Sequence, residues 1–388
     1  MQERIAIIDG CRTPFIRSGG AFKNLMHWSL GSHAVKGLMA KTGLCSKEVD
    51  HVIMGALFHN IRTSNVAREI VLGAGLPESI PAHTCTVACI SANMAATNGA
   101  GMIAMGAADT VIAGGVEYFN PEKLLPIKEY STDLLMGQTA ELLASRLKIS
   151  REEQDSFAVR SHQSAVKAQK DGVLHDHIVP VAVPGIGVIV KDNGPRADTT
   201  VEKISKLKAA FDPGKGTVTA ANSSFLTDGA AAVLLMREEK AKALGLKPKA
   251  YIKTFAHTAQ NPLDELLLGP AFAIPKALSI AGLKLEEIGV LEIHEAFAVQ
   301  MIANIRLLQS DDFAREKLGR SNKTGEIDME KLNIHGGSLS LGHPFGATGA
   351  RLIIDCCRRM KDENSQFGIV AGCAAGAVGN AIILEQGE

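Results

Sequence analysis

The sequence predicts an α/β protein of two similar halves, with a segment of different texture inserted into the first. Three observations carry this. The chain has 388 residues, which at about 150 residues per domain suggests two or three domains. Residues 34–53 and 273–292 align without a gap: Ala34 meets Ala273, Gly43 meets Gly282, Leu44 meets Leu283, Glu48 meets Glu287 and Val49 meets Ile288. Between the repeats, residues 118–227 hold a charged stretch at 150–162, a Pro-Gly-rich region at 180–196 and the basic run Lys203, Lys206 and Lys208. A hydrophobic share of 46% against 21% charged suffices for more than one buried core.

The elements follow in order. The apolar run at 4–9 is too short for a signal peptide and reads as a first strand ended by Gly10. Each repeat then reads as an amphipathic helix, a Gly stop, a short acidic turn and a buried strand. Residues 99–115 are the most apolar long stretch, yet they hold five glycines and Asp109. They predict a buried helix and then a buried strand, not a membrane span. After the inserted segment, Gly229-Ala-Ala-Ala-Val-Leu-Leu-Met returns to a buried core. A strand candidate at 250–255 precedes the second repeat, as residues 4–9 precede the first. A helix over 350–360 and a buried strand at 369–372 close the second half.

Charge excludes one class of partner. Forty-one basic residues meet forty-one acidic ones, whereas a nucleic-acid-binding chain favours a basic excess. A polyanionic small molecule needs only a local basic patch. The seven cysteines are odd in number and irregularly spaced, so they spell neither a metal site nor a disulfide framework. They point to a reducing compartment.

Four segments carry residues able to do chemistry. Cys89 lies in Thr84-Cys-Thr-Val-Ala-Cys-Ile-Ser before an Ala-rich helical run. A Cys at a helix N-terminus feels the positive end of the dipole, which lowers its pKa, and the thiolate is the nucleophile. Read alone, Cys89 also fits a small buried hydrophobe. His343 lies in Gly336-Gly-Ser-Leu-Ser-Leu-Gly-His-Pro-Phe-Gly-Ala-Thr-Gly-Ala-Arg351. In the duplication it takes the place of Cys89, each standing at a loop-to-helix junction before a buried strand. Pseudo-symmetry would bring the two junctions together, and a His beside a Cys holds a thiolate. A Gly-rich phosphate loop is the other reading, although no basic residue precedes Arg351 in it. Cys373 lies in Gly372-Cys-Ala-Ala-Gly-Ala-Val-Gly379, read as a small-residue loop whose N–H groups could form an oxyanion hole. It is a candidate acid/base or a structural Cys. His294, in Leu291-Glu-Ile-His-Glu-Ala-Phe, could donate to a carbonyl oxygen or be a satisfied core His.

Taken together, these motifs resemble the thiolase family over almost the whole chain. The order is Arg12-Thr-Pro, the Cys89 loop, Gly114-Gly-Val-Glu117, Asn222-Ser-Ser-Phe-Leu-Thr-Asp-Gly, His294-Glu-Ala-Phe, Gly342-His-Pro and Cys373. Thr63-Ser-Asn-Val-Ala-Arg-Glu and Ala88-Cys-Ile-Ser-Ala-Asn look closest to one branch. That branch holds the β-subunit of the mitochondrial trifunctional protein and its bacterial counterparts, 3-ketoacyl-CoA thiolases of fatty-acid β-oxidation. His294 points the same way, since many thiolases have Asn there.

The resemblance implies a thiolase fold: two βαβαβαββ halves in a five-layered αβαβα arrangement with an inserted loop domain. The halves would be 1–117 plus about 228–249, and 250–388, with 118–227 covering the CoA site. It implies that Cys89 takes the acyl group, His343 activates it and Cys373 exchanges a proton with the acetyl-CoA methyl carbon. His294 and His343 would form one oxyanion hole, and the backbone N–H groups of Cys89 and Ala375 a second. Ala220, Ser224 and Leu226 match pantetheine contacts, Met136 and Phe297 the acyl end, and Arg196 a CoA nucleotide contact. CoA is a substrate, and no metal or permanently bound cofactor is required.

The implied activity is acetyl-CoA C-acyltransferase. The alternatives are a condensing acetoacetyl-CoA thiolase, or a non-catalytic lipid carrier or scaffold subunit. Residues 118–136 are much shorter than in the closest branch, and no clear tetramerisation loop is present. The expected assembly is a homodimer, with a β-oxidation α-subunit as a further partner. The expected compartment is the bacterial cytoplasm, or the mitochondrial matrix.

Overall fold

The computed structural model describes residues 3–60, 62–119 and 126–387. Residues 120–125, within the segment expected to be shortened, lie outside that set.

The first half runs β1 (Ile5–Arg12), α1 (His27–Thr42), β2 (His51–Gly55), α2 (Val66–Ala74), β3 (Ala82–Cys85), α3 (Ser91–Ala104), β4 (Thr110–Glu117) and, after the insertion, β5 (Thr227–Arg237). The second runs β6 (Ala250–Ala259), α6 (Gly269–Ala281), β7 (Val290–Ile293), α7 (Ala298–Leu308), α8 (Thr348–Asp362), β8 (Phe367–Ala374) and β9 (Val378–Gln386). The insertion contributes α4 (Met136–Arg146) and α5 (Arg151–Lys170).

The duplication is visible in the backbone. Gly43 and Gly282 end α1 and α6 in the left-handed region, at φ 65° and 68°. Glycine takes that conformation without a Cβ penalty. One 3-10 turn follows each, at Ser46–Glu48 and Leu285–Glu287. In both halves the next strand runs parallel to a partner: β2 beside β4, and β7 beside β8. The second half lacks a counterpart of β3 among the described residues. A single parallel bridge, Leu291 to Leu332, stands beside β7 where β3 stands beside β2.

The strands order as β7-β8-β9-β6-β1-β5-β4-β2-β3. The two half-sheets meet through a short antiparallel ladder, Ile5–Ile7 against Ala250–Ile252. Side chains alternate across a strand, and here both faces are buried. In β4 and β5, Ile112, Val116, Ala230, Ala232 and Leu234 face a core shared with α1 and α2. Their alternates, Val111, Ala113, Ala231, Val233 and Leu235, face a central core built on α3 and α8. Val370, Ile382 and Leu384 enter that same central core from the second half, while Ile369, Ala371, Ala381 and Ile383 face α6 and α7. The result is five layers, with α3 and α8 in the middle.

Two differences from the sequence reading have steric reasons. β1 continues through Gly10 to Arg12. Gly10 is a close-approach residue, not a stop, for a Cβ there would lie 2.5 Å from Ile354 Cγ1. Cys373 lies inside β8, opposite Gly379, and not in a loop. The loop is Ala375-Gly-Ala377, with Gly376 and Ala377 both at positive φ.

The insertion touches both halves. Ser150 caps α5, accepting from the Glu153 N–H at 3.2 Å while Glu153 accepts from the Ser150 N–H at 2.8 Å. This reciprocal capping box fixes the helix start. Phe157, Ala158 and Val159 of α5 join the outer core of the second half. Val181 and Val183 join the outer core of the first. Asp192 forms a buried bidentate pair with Arg12 of β1, both contacts at 2.7 Å.

Candidate active site

α3 and α8 begin side by side at the middle of the molecule, and the loops that precede them face one another. Ahead of α3, residues Ala88–Ile90 form a 3-10 turn. Ala88 sits at φ 42°, a conformation costing a side-chain-bearing residue on the order of 1 kcal/mol or more. Ser91 holds it: its hydroxyl accepts from the Val87 N–H at 2.9 Å and donates to the Ala88 carbonyl at 2.7 Å. The turn presents Cys89, half-buried, to a cavity of about 470 Å³.

Cys89 is not acidified. Burial, and then the nearby Glu117 carboxylate, push its thiol up to about 12. The backbone N–H groups of Ala375 and of Cys89 itself pull the other way and are outweighed. The expected lowering by the helix terminus is therefore reversed by desolvation. His343 is held well below the ordinary imidazole value by burial, and then by His294 and Arg351. The resting pair is a neutral thiol and a neutral imidazole.

The tautomer of His343 follows from its partners. Its Nδ1 lies 2.7 Å from Thr348 Oγ1, and that hydroxyl donates to the Pro344 carbonyl at 3.2 Å. With its proton so placed, the hydroxyl accepts from Nδ1–H. The Nε2 lone pair is left free, and Nε2 is buried with no protein partner. His294 is arranged likewise. Its Nδ1 lies 3.1 Å from Ser338 Oγ, its Nε2 is buried and unpartnered, and its ring centroid is 4.1 Å from that of His343. Burial lowers its pKa to about 3, with Arg351 adding to the effect. Ser338 as donor would leave His294 with an Nε2–H aimed outward.

The cavity gathers Cys89, Met136, Ser224, Leu226, Phe297, His343, Cys373 and Ala375 from the sequence reading. Cys373 is buried, and its thiol is raised by burial and then by Cys89. Residues 223–226 are stitched to the loops that carry His294 and His343: Ser224 N–H donates to the Ala296 carbonyl at 2.9 Å, and His343 N–H to the Phe225 carbonyl at 3.0 Å. His294 abuts His343 without lining the cavity. Ala220 and Arg196 are exposed and lie off the cavity lining.

Four supporting residues escaped the sequence reading. Ser338 and Thr348 lie inside the His343 motif, and their polar side chains were the available signal. Glu117 ends Gly114-Gly-Val-Glu117, where a carboxylate closing a buried strand was the signal. It accepts from the N–H groups of Leu57, Phe58 and Gly346 at 3.0, 3.1 and 3.0 Å, so one carboxylate joins a loop of each half beneath Cys89. Burial raises its pKa to about 7, against those three donors. Glu129, from the insertion, accepts from the Gly376 N–H at 2.7 Å and so anchors the loop bearing Ala375. No pattern in the sequence pointed to it.

Known proteins place this geometry in context. The chain matches the thiolase N-terminal domain over residues 5–126 and 121–239, and the thiolase C-terminal domain over residues 246–386. It is 46% identical to the mitochondrial trifunctional enzyme subunit beta of Bos taurus, with 98% of this chain and 88% of that protein covered. It is 41% identical to the 3-ketoacyl-CoA thiolase of Yersinia pestis, covering 99% and 97% respectively. The crystal structure of the Bacillus anthracis acetyl-CoA acetyltransferase superposes with a TM-score of 0.89 at 34% identity, over 99% of both chains. The chain belongs to the thiolase family.

Proposed function

We propose that this protein is an acetyl-CoA C-acyltransferase, cleaving a 3-ketoacyl-CoA with CoA into acetyl-CoA and an acyl-CoA shortened by two carbons. One observation carries the reading. A nucleophile-type thiol, an imidazole with a free Nε2 and a second buried thiol meet at one apolar cavity.

Each group has a role in a ping-pong sequence. His343 Nε2 takes the Cys89 proton as the sulfur attacks the 3-keto carbon. The alkoxide of the tetrahedral intermediate sits against the N–H groups of Cys89 and Ala375, which already converge on the sulfur. Collapse breaks the carbon–carbon bond and leaves an acyl-Cys89 and a thioester enolate. His294 Nε2–H and protonated His343 stabilise the enolate oxygen, and the Cys373 thiol protonates its carbon. A raised thiol pKa suits that step, because the group must hold its proton until the carbanion forms. CoA then enters, loses its thiol proton to the Cys373 thiolate and takes the acyl group from Cys89, whose departing sulfur recovers its proton from His343.

Leu57, Ile127, Leu135, Phe211 and Leu267 extend the apolar lining beyond Met136 and Phe297, which supports an acyl chain longer than acetyl. Ser224 and Leu226 would hold pantetheine. Arg17 stacks over Phe225, its guanidinium carbon 4.1 Å from the ring centroid. Arg196 lies near enough to lower the pKa of Arg17, after burial. Two like charges held together favour an anion, and we assign this pair to the CoA phosphates. A condensing, acetoacetyl-CoA-forming use is the second reading, supported by the fold of the Bacillus acetyltransferase.

The assembly proposed is a homodimer, supported by β3 at the sheet edge. An α-subunit of a β-oxidation complex is the further partner proposed, from the name of the bovine relative. Among the described residues no helix is long and apolar enough to cross a membrane. The seven free cysteines support a reducing compartment, the bacterial cytoplasm or the mitochondrial matrix.

The deciding experiment is the thiolysis rate with CoA across 3-ketoacyl-CoAs from four to sixteen carbons. Rates that rise with length support the degradative reading. Activity confined to acetoacetyl-CoA would replace it with the short-chain one, and failure to trap any acyl group on Cys89 would sink both.

A further inference from the structure

Cys89 Sγ and one ring nitrogen of each of His294 and His343 lie within 4.8 Å of one another. Both Nδ1 atoms are occupied by hydroxyls, Ser338 Oγ at 3.1 Å and Thr348 Oγ1 at 2.7 Å. Both Nε2 atoms are buried without a protein partner. This is the arrangement of metal-binding histidines, in which a second-sphere oxygen on one ring nitrogen fixes the ring and directs the other nitrogen inward. One thiolate and two imidazoles are ligands of a soft-to-borderline cation.

We propose that Cys89, His294 and His343 form a binding site for a divalent zinc-like cation, and that its occupancy switches the enzyme off.

Zn2+ prefers four ligands at about 2.3 Å for sulfur and 2.0–2.1 Å for nitrogen, which sets ligand atoms roughly 3.3–3.6 Å apart. The three groups need to close by at most about 1.2–1.5 Å, within the reach of side-chain rotations. Three protein ligands leave the fourth position for water or an added thiol. Binding breaks the Cys89 S–H bond, forms an S–Zn bond and releases the proton to solvent, with no change of oxidation state. The ion would use the sulfur lone pair that attacks substrate and the His343 lone pair that takes the proton. Ser338 Oγ must then accept from His294 Nδ1–H, reversing its donor role in the reaction.

The three ligands stand at 89, 294 and 343, so no local cysteine or histidine spacing announces them. His294 makes the site particular to chains with His-Glu-Ala-Phe, since an Asn at that position removes an imidazole ligand. Metal binding itself does not rest on the proposed reaction; only the loss of turnover does.

The test uses the full chain carrying Cys45→Ser, which removes the one exposed thiol, in thiol-free buffer. Co2+ is titrated first and Zn2+ second. The expected result is one Co2+ per chain with a thiolate-to-cobalt charge-transfer band that Zn2+ abolishes. Cys89→Ala should lose the band. His294→Asn, which keeps an N–H donor, should bind either ion at least about tenfold more weakly. Zn2+ should inhibit thiolysis, with full recovery on chelation. A missing band, a band that survives Cys89→Ala, or unchanged affinity in His294→Asn would overturn the site. Because the band needs no turnover, an inactive preparation that shows it would refute the proposed reaction and keep the metal site.

Discussion

Cys89 rests as a thiol because desolvation outweighs the two N–H groups that favour its anion, so in the proposed reaction acylation depends on His343 being a competent base at the moment of attack. That dependence extends to Thr348, whose hydroxyl fixes the Nδ1–H tautomer. Thr348→Val keeps the shape and removes the acceptor. It is expected to lower kcat for thiolysis about tenfold to a hundredfold, a part of what a positioned base supplies. Thr348→Ser should restore most of the rate, whereas a purely steric role for the residue would leave Val the better substitute. Cys89→Ala should abolish turnover while CoA binding, measured calorimetrically, survives; substantial residual thiolysis would remove the nucleophile assignment. Cys373→Ala should slow exchange of the acetyl-CoA methyl protons far more than acylation of Cys89. Equal losses in both steps would mean the second thiol has no separate proton-transfer role.

The elements matter because they set the distance between those groups. α3 and α8 approach so closely that a Cβ on Gly349 would lie 1.9 Å from Asn93 Oδ1 and 2.7 Å from the Asn93 backbone nitrogen. The second of these is backbone and cannot rotate away. Gly349→Ala is therefore expected to cost about 1–3 kcal/mol in urea unfolding. It should also reduce kcat, since moving α8 moves His343 away from Cys89; a variant with native activity would show that the helices are not what spaces the pair. Such spacing explains what was legible in the sequence and what was not. The repeated Gly43 and Gly282 stops depend on local conformation, and the unbroken apolar runs of β4 and β5 on burial of both faces, so the linear pattern records them. The Cys89 and His343 junctions were legible through the symmetry of the repeat. Glu129 and Arg17 act through contacts with residues 247 and more than two hundred positions away, and nothing local marks them. The first strand was misjudged at Gly10 for the same reason, because the residue that makes it a glycine, Ile354, lies in the other half.

At the scale of the whole molecule, burial of both faces of the two half-sheets and of the central helices leaves many imidazoles away from water. Nine of the twelve histidines have pKa values lowered, each with burial as the largest cause. His27, His162 and His177 fall to about 4 and His294 to about 3. Three buried carboxyls go the other way, Glu117, Asp228 and Glu292 each rising to about 7 through burial. The signs oppose. A histidine with a lowered folded value takes up a proton on unfolding once pH drops below about 6.5, so its contribution is complete above that value and is lost as pH falls toward the folded value. A carboxyl with a raised folded value releases its proton on unfolding above about 4.5, so its contribution is complete at low pH and is lost as pH rises toward 7. Between about pH 4.5 and 6.5 the histidines outnumber the carboxyls, and the unfolded chain binds more protons than the folded one. Stability must then fall on acidification, each fully buried, fully shifted imidazole contributing about 1.4 kcal/mol per pH unit in that window. Urea unfolding at pH 7.5, 6.0 and 5.0 should show the midpoint dropping at each step. His177→Gln removes one such proton site, away from the lining of the Cys89 cavity, and should flatten the drop without changing thiolysis at pH 7.5. A midpoint that holds steady or rises toward pH 5 would mean that the carboxyls dominate, and that the imidazoles are better solvated than their burial implies.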